Sequence, residues 1–333
     1  MNPLLTVVVV MSLGCSSNPN SPSPKTIEDT QTGAQTDSAT TPTEGDLDHT
    51  VFSDPSACAP CHPNQYEQWR TSMHSYAALS PVFDAMAAKA FRDTSGEIGT
   101  FCTGCHSPLG TYEGEEGWTT AEDRSEKSRQ GVSCDFCHSA TNHTGILGNA
   151  NLDSSPSSVK YGSNESDYEG AHSTEKSDFV QSPDLCGSCH DVFMFPGIQI
   201  EQAYTEYTES PAALAEVRCQ DCHMGTEPGV VSPPASGPAA IVDGVPGPDR
   251  TLSNHRFVGP DYSLIDGFPY PNDLEASAQS QAETLLQIQT LLENAAELDP
   301  LTVSMNHSAQ SAEIEVTVRS LTTGHRVPTG FTS

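Results

Sequence analysis

The sequence predicts a mainly α chain with extensive loops and a small β segment at its C-terminus. Three observations carry that expectation. A capping residue followed by proline, the pattern of an N-cap and first helical position, recurs at Asp54-Pro55, Ser80-Pro81 and Ser182-Pro183. Ten of the 11 cysteines form Cys-x-x-Cys pairs between Cys58 and Cys222, and the region that holds them is expected to consist of short helices separated by long loops. Near the end, EIEVTVRS alternates Ile314, Val316 and Val318 with Glu313, Glu315, Thr317 and Arg319, the period of a half-buried strand.

Taken in order, residues 1–15 hold a short apolar stretch from Leu4 to Met11, then small residues up to Cys15. The stretch is too short to span a bilayer and reads as an export signal. It resembles a bacterial lipoprotein signal, in which the cysteine becomes the lipid-modified first residue, although Ser12 stands where such signals usually carry Leu. That resemblance implies a membrane anchor on Cys15, the one cysteine outside the pairs. Residues 16–51 are mostly Ser, Thr, Pro, Asn and Asp, which cannot bury enough apolar area to offset ordering, so they are expected to form a flexible spacer.

Residues 52–259 form the cysteine-bearing domain. Within it, SPVFDAMAAKAF offers Val82, Phe83 and Met86 as one apolar helix face. Between Thr226 and Leu252, six prolines with many Gly and Ala residues predict an irregular connector. Residues 260–300 are a connector and a packing helix, Asp273 to Leu298, with Leu285, Ile288, Leu292 and Ala295 at helical spacing and Pro300 as the stop. Residues 301–333 are the β segment, too short for an independent sandwich and expected to begin a larger β domain.

Composition narrows the function. With 44 acidic against 14 basic side chains and a net charge of −30, binding to nucleic acid through phosphate neutralisation is excluded. Only 35% of residues are hydrophobic and 7% aromatic, so something other than side chains is expected to fill the core.

The five pairs supply it. They read Cys58, Cys61, His62; Cys102, Cys105, His106; Cys134, Cys137, His138; Cys186, Cys189, His190; and Cys219, Cys222, His223. With 12 histidines in 333 residues, five following by chance has a probability on the order of 10⁻⁷. The chemistry that demands this order is c-type haem attachment. Two cysteines three apart form thioethers with the two vinyl groups of one haem, and the next imidazole takes the proximal position on iron. Structural zinc uses such pairs in twos and does not require the histidine, and disulfides across three residues would close small strained loops. A thioredoxin-type motif would occur once, in a βαβ setting. The fold expectation therefore becomes helices and loops wrapped around five covalent haem c groups.

Of the seven remaining histidines, His49 lies in the spacer and is expected to be solvated, and His307 is expected to be structural. His74, His143, His172, His255 and His325 are the candidates for the distal positions, with the pairing to individual irons open, and with Met ligation or an open position as the alternative at one or two sites.

These residues resemble the multihaem cytochromes related to tetrahaem cytochrome c-554 and, more distantly, hydroxylamine oxidoreductase. The resemblance runs from Cys58 to about Gly259, with a weaker portion around TGHRVPTGF. It rests on Tyr66, Trp69, Ser72 and His74 after the first motif, on GVSCDFCHS, AHST, LCGSCHDVF and CQDCHM, and on NHRF at His255. It implies that His74 and His255 are distal ligands and that the haems lie in close pairs. Tyr204, Tyr207 and Ser210 repeat the spacing of Tyr66, Trp69 and Ser72, but Ala212 replaces the histidine. One haem is therefore open to question as to its distal ligand.

The function expected is an exported carrier, periplasmic or at the cell surface, that passes electrons between redox proteins with basic docking surfaces. The alternative is a multihaem oxidoreductase acting on a small nitrogen or sulfur compound at one open-sited haem. The scarcity of Arg and Lys for attracting an anionic substrate favours the carrier.

Overall fold

Helices in this chain begin where a capping side chain meets a proline. Asp54 accepts the Ser56 N–H at 2.8 Å and opens Pro55–Cys58, and Ser80 accepts the Phe83 N–H at 3.3 Å and opens Pro81–Asp93. Ser182 precedes Pro183–Gly187 in the same way, but without a side-chain cap. The computed structural model describes residues 5–10, 47–165, 170–194, 197–306, 311–322 and 324–330. Cys15, His307 and most of the expected spacer lie outside them. The chain divides into one unit of Pro42–Ala296 with Ser320–Ser333 and another of Met1–Thr41 with Glu297–Arg319.

In the larger unit, apolar packing is sparse. Phe52, Leu109 and Phe136 form one buried cluster, with Tyr112 edge-on to Phe52 at 5.0 Å, and tie the segment before the first motif to those after the second and around the third. Val258, Ile288 and Leu291 form the other and hold the Leu274–Ala295 helix on the segment that follows the fifth motif.

That helix buries Ile288 as expected, but its buried face is turned from the one expected. Leu285 and Leu292 are exposed, whereas Ser277, Ser280, Ile288 and Leu291 are buried. The small serines explain the shift: Ser277 Oγ is 2.7 Å from the Gly267 carbonyl and 2.9 Å from that of Tyr270, and so fastens the helix start to its preceding loop. The helix also ends at Ala295, before Pro300, where the backbone turns extended at Ala296. On Pro81–Asp93 the buried residues are Phe83, Ala87 and Ala88, while Met86 is exposed.

Small antiparallel and parallel ribbons supplement the helices. The expected irregular connector is in fact a hairpin. Ala235–Pro238 pairs with Asp249–Leu252, and inside it Ile241–Val242 pairs with Val245–Pro246. Asp243 and Gly244 close it at φ 49° and 77°, the positive pair that a two-residue type I′ turn requires. Val159–Gly162 and Ser173–Lys176 form a parallel pair, which the buried Lys160–Asp135 ion pair, 2.5 Å, ties to the helix of the third motif. Burial alone would raise the Asp135 carboxyl, but Lys160 and the Ser53 N–H hold it below the usual range.

The smaller unit is a sheet centred on Ser311–Ser320, which pairs antiparallel with Thr302–Asn306 and with Leu5–Val10. Ile314, Val316 and Val318 are half-buried and Glu313, Glu315 and Arg319 exposed, the expected alternation. The apolar stretch read as an export signal thus lies here as an edge strand. The last strand of the segment runs to Ser320, and residues 320–333 belong to the larger unit. Among the described residues no helix is long and apolar enough to cross a membrane.

Candidate functional site

All five motifs lie on or beside a single helical turn. Such a turn puts a cysteine, the cysteine three residues on and the histidine four residues on along one face. The His62 N–H reaches the Cys58 carbonyl at 2.8 Å, His106 reaches Cys102 at 3.3 Å and His190 reaches Cys186 at 2.9 Å, while Cys134–His138 and Cys219–His223 are helical throughout. Glycine is required in the fourth motif. A Cβ on Gly187 would lie 2.3 Å from the Tyr204 ring, whose hydroxyl donates to Asp184 at 2.6 Å.

Four of the motif histidines face a second imidazole. His62 stands opposite His172 with ring centroids 6.2 Å apart, His190 opposite His74 at 6.2 Å, His138 opposite His255 at 6.2 Å and His223 opposite His325 at 6.1 Å. Two metal–nitrogen bonds of about 2 Å, plus half the width of each ring, add up to roughly 6 Å, so each pair has the spacing of two imidazoles on one metal ion. Direct stacking would bring the rings closer.

The outer nitrogens settle the tautomers. Nδ1 of His62 lies 2.8 Å from the Ala239 carbonyl, that of His138 2.6 Å from Tyr161, and that of His223 3.0 Å from Val258. On the opposite side, His172, His255 and His325 place Nδ1 at 3.0, 2.9 and 2.9 Å from the carbonyls of Ser173, Ser253 and Arg326. A carbonyl can only accept, so Nδ1 carries the proton and Nε2 keeps its lone pair for a metal. Burial, then the neighbouring histidines, pushes His74 down to about 3, and burial with His138 beside it pushes His255 down to about 4. Both are neutral at pH 7, as ligation requires.

His106 differs. Among the described residues no imidazole stands opposite it at that spacing. Its ring is stacked on Phe83 at 4.3 Å and 8°, and the Arg124 guanidinium lies 5.0 Å from the centre of that phenyl ring. Arg124 is buried, bonded to Asp84 at 2.5 Å and to the Ala78 carbonyl. The His106 Nδ1 contact, to the Ala77 carbonyl, is the longest among the motif histidines at 3.4 Å. His143, one of the five distal candidates, is half-buried in the Ala140–His143 strand, faces none of the motif histidines as a ring pair, and keeps Nδ1 buried without a hydrogen-bond partner. His49 is not solvated as expected: it too is half-buried, with Nδ1 unpartnered.

Motifs adjoin one another through their cysteines. Cys58 lies beside Cys134, Cys105 beside Cys189 and Cys186 beside Cys219. Phe257 lies between His74, at 4.4 Å, and His255, at 5.7 Å, and so joins the third and fourth sites. All ten motif cysteines are free, and among the described residues no three His, Cys, Asp or Glu side chains converge as a metal cluster of the zinc kind.

Several positioning residues were not foreseen. The hairpin supplies Ala239 to His62, and the Ile241 N–H holds the Cys61 carbonyl at 2.7 Å; the Asp-Gly turn between valines was the signal. Glu206 accepts from the Arg326 N–H at 3.0 Å and from the Thr329 hydroxyl at 2.6 Å, which fixes the segment carrying His325. Arg326 pairs with that carboxylate, at 3.4 Å. The repeat is structural: the Tyr66 N–H bonds to His62 at 2.9 Å and the Tyr204 N–H to His190 at 3.0 Å, and Ser72 and Ser210 share the same extended backbone, so buried Ala212 presents a methyl where the first copy has His74.

Residues 57–139, which include the first three motifs, match the family model of cytochrome c554 and c-prime. No curated protein and no solved structure matches the chain.

Proposed function

Because residues 57–139 match the family model of a c-type cytochrome, we propose that the whole chain is an exported carrier of electrons that holds five covalent haem c groups, four of them between paired histidines. The observation that carries this reading is the set of four imidazole pairs at 6.1–6.2 Å, each built on a different Cys-x-x-Cys-His turn. A bound haem supplies an iron that takes up and gives back one electron. The chain's part would be to hold it: the cysteines through thioethers, the paired Nε2 atoms as the iron's nitrogen ligands, and the Nδ1–H bonds as guides for each ring. Two imidazoles favour a low potential over a His/Met pair. Adjoining cysteines link the first site to the third, the second to the fourth and the fourth to the fifth, so no site is isolated.

The charge of −30 suits partners with basic docking surfaces. A lipid on Cys15 would hold the carrier at a membrane, and processing there would also remove the Leu5–Val10 edge strand. The intact mass of holoprotein tests the haem count. Five haems above the mature polypeptide are expected, together with a positive haem stain after denaturing electrophoresis; no covalent haem would end the proposal.

A second reading rests on His106. With Phe83 and Arg124 beside it and no facing imidazole among the described residues, its iron is the one at which a small nitrogen or sulfur compound would bind. Under this reading the other four sites feed or drain that centre.

A further inference from the structure

Of the histidines that face another imidazole, only His190 turns Nδ1 to a carboxylate. Its partner is Glu201 Oε1 at 3.0 Å, at the end of the Ile198–Glu201 strand; the others whose Nδ1 contact is described above use backbone carbonyls. The Glu201 side chain is 18% exposed and that of His190 52%, so water reaches the contact from the imidazole side and screens it in part. The strand pairing of Glu201 with Val192 fixes its backbone two residues from the motif it serves. We propose that Glu201 makes the His190 centre the lowest in potential of the set, by accepting the imidazole Nδ1–H as a carboxylate.

The sign follows from charge. A carbonyl oxygen is a dipole end, whereas a carboxylate carries a full negative charge and pulls the Nδ1 proton harder. The ring then gains imidazolate character, becomes a stronger donor through Nε2 and stabilises the more positive ferric iron. One electron is exchanged at the centre and no covalent bond changes. The neighbouring second site lies at the other extreme. Its Cys105 lies beside Cys189, but His106 has the 3.4 Å contact to a carbonyl, the weakest support for imidazolate character among the motif histidines. The second and fourth sites are thereby polarised, with electrons favoured toward the His106 side. This rests on the covalent-haem reading.

The test is spectroelectrochemical titration of holoprotein and of Glu201→Gln. Glutamine keeps the size and an accepting oxygen but removes the charge. The expected result is a rise in the lowest midpoint potential equivalent to about tenfold in the reduction equilibrium, about 59 mV for one electron. The other centres should shift less, and the low-spin spectrum and haem content should be unchanged. An unmoved lowest potential in a variant with full haem content overturns the role of Glu201, and so does a uniform shift of every centre. Wild-type protein without covalent haem fails earlier, by mass, and refutes the haem reading instead. Glu201→Asp, which keeps the charge on a shorter arm, is expected to fall between wild type and Gln.

Discussion

Polypeptide made in a host without cytochrome c maturation is expected to be largely unfolded. Among its described residues the larger unit has two apolar clusters of three buried residues each, and many of its other buried positions are small serines. Each large apolar side chain contributes about 1.5–3 kcal/mol on burial, while ordering costs about 1–2 kcal/mol per backbone residue. The stabilisation must therefore come from elsewhere, and in this account it comes from porphyrin faces and iron–imidazole bonds that join distant segments. The measurement is far-ultraviolet circular dichroism with amide exchange on the unmodified chain. Weak helical signal and rapid exchange throughout the Pro42–Ala296 region are expected. A cooperative thermal transition with native helix content would show that the side chains suffice.

Replacement of His325 by alanine is expected to convert one iron, and only one, from low spin to high spin. His325 is the imidazole opposite His223, at 6.1 Å, on a segment held by Glu206. On the proposed reading, its removal would open a coordination position and leave the thioethers at Cys219 and Cys222 in place. One additional equivalent of carbon monoxide should bind per reduced chain, and haem content should stay constant. Glu206→Ala is expected to give a partial version of the same change, because Arg326 and Thr329 lose their shared acceptor. A variant with the wild-type spin state would show that His325 is not a ligand.

The sequence made one half of each site legible. The Cys-x-x-Cys-His turns stand in contiguous residues, and His74, His172, His255 and His325 sit in recognisable segments. The pairing was not legible, because each pair joins segments far apart in sequence, and nothing local says that the segment after the first motif serves the fourth. His143 looked as eligible as His172 by residue type; its place in a strand facing none of the motif imidazoles is a tertiary fact. The phase of the Leu274–Ala295 helix was missed because buried Ser277 and Ser280 read as polar, although a serine whose hydroxyl bonds to backbone carbonyls packs as a small core residue. The hairpin that supports His62 was hidden by its prolines, yet Val242-Asp243-Gly244-Val245 carried the turn signal. Glu201 and Glu206 had no local signal at all. Among 44 acidic residues, what distinguishes them is only the partner that the fold brings to each.

The most direct test of this account is a spin-state census of the oxidised holoprotein by low-temperature magnetic resonance, combined with carbon monoxide titration of the reduced form. Four low-spin irons with two imidazoles each are predicted, with a single high-spin iron that binds one carbon monoxide per chain. The four histidine pairs predict the four, and the lack of a facing imidazole at His106 among the described residues predicts the one. Five low-spin irons that bind no carbon monoxide would contradict the open site and leave a pure carrier; more than one high-spin iron in intact protein would contradict the pairing itself.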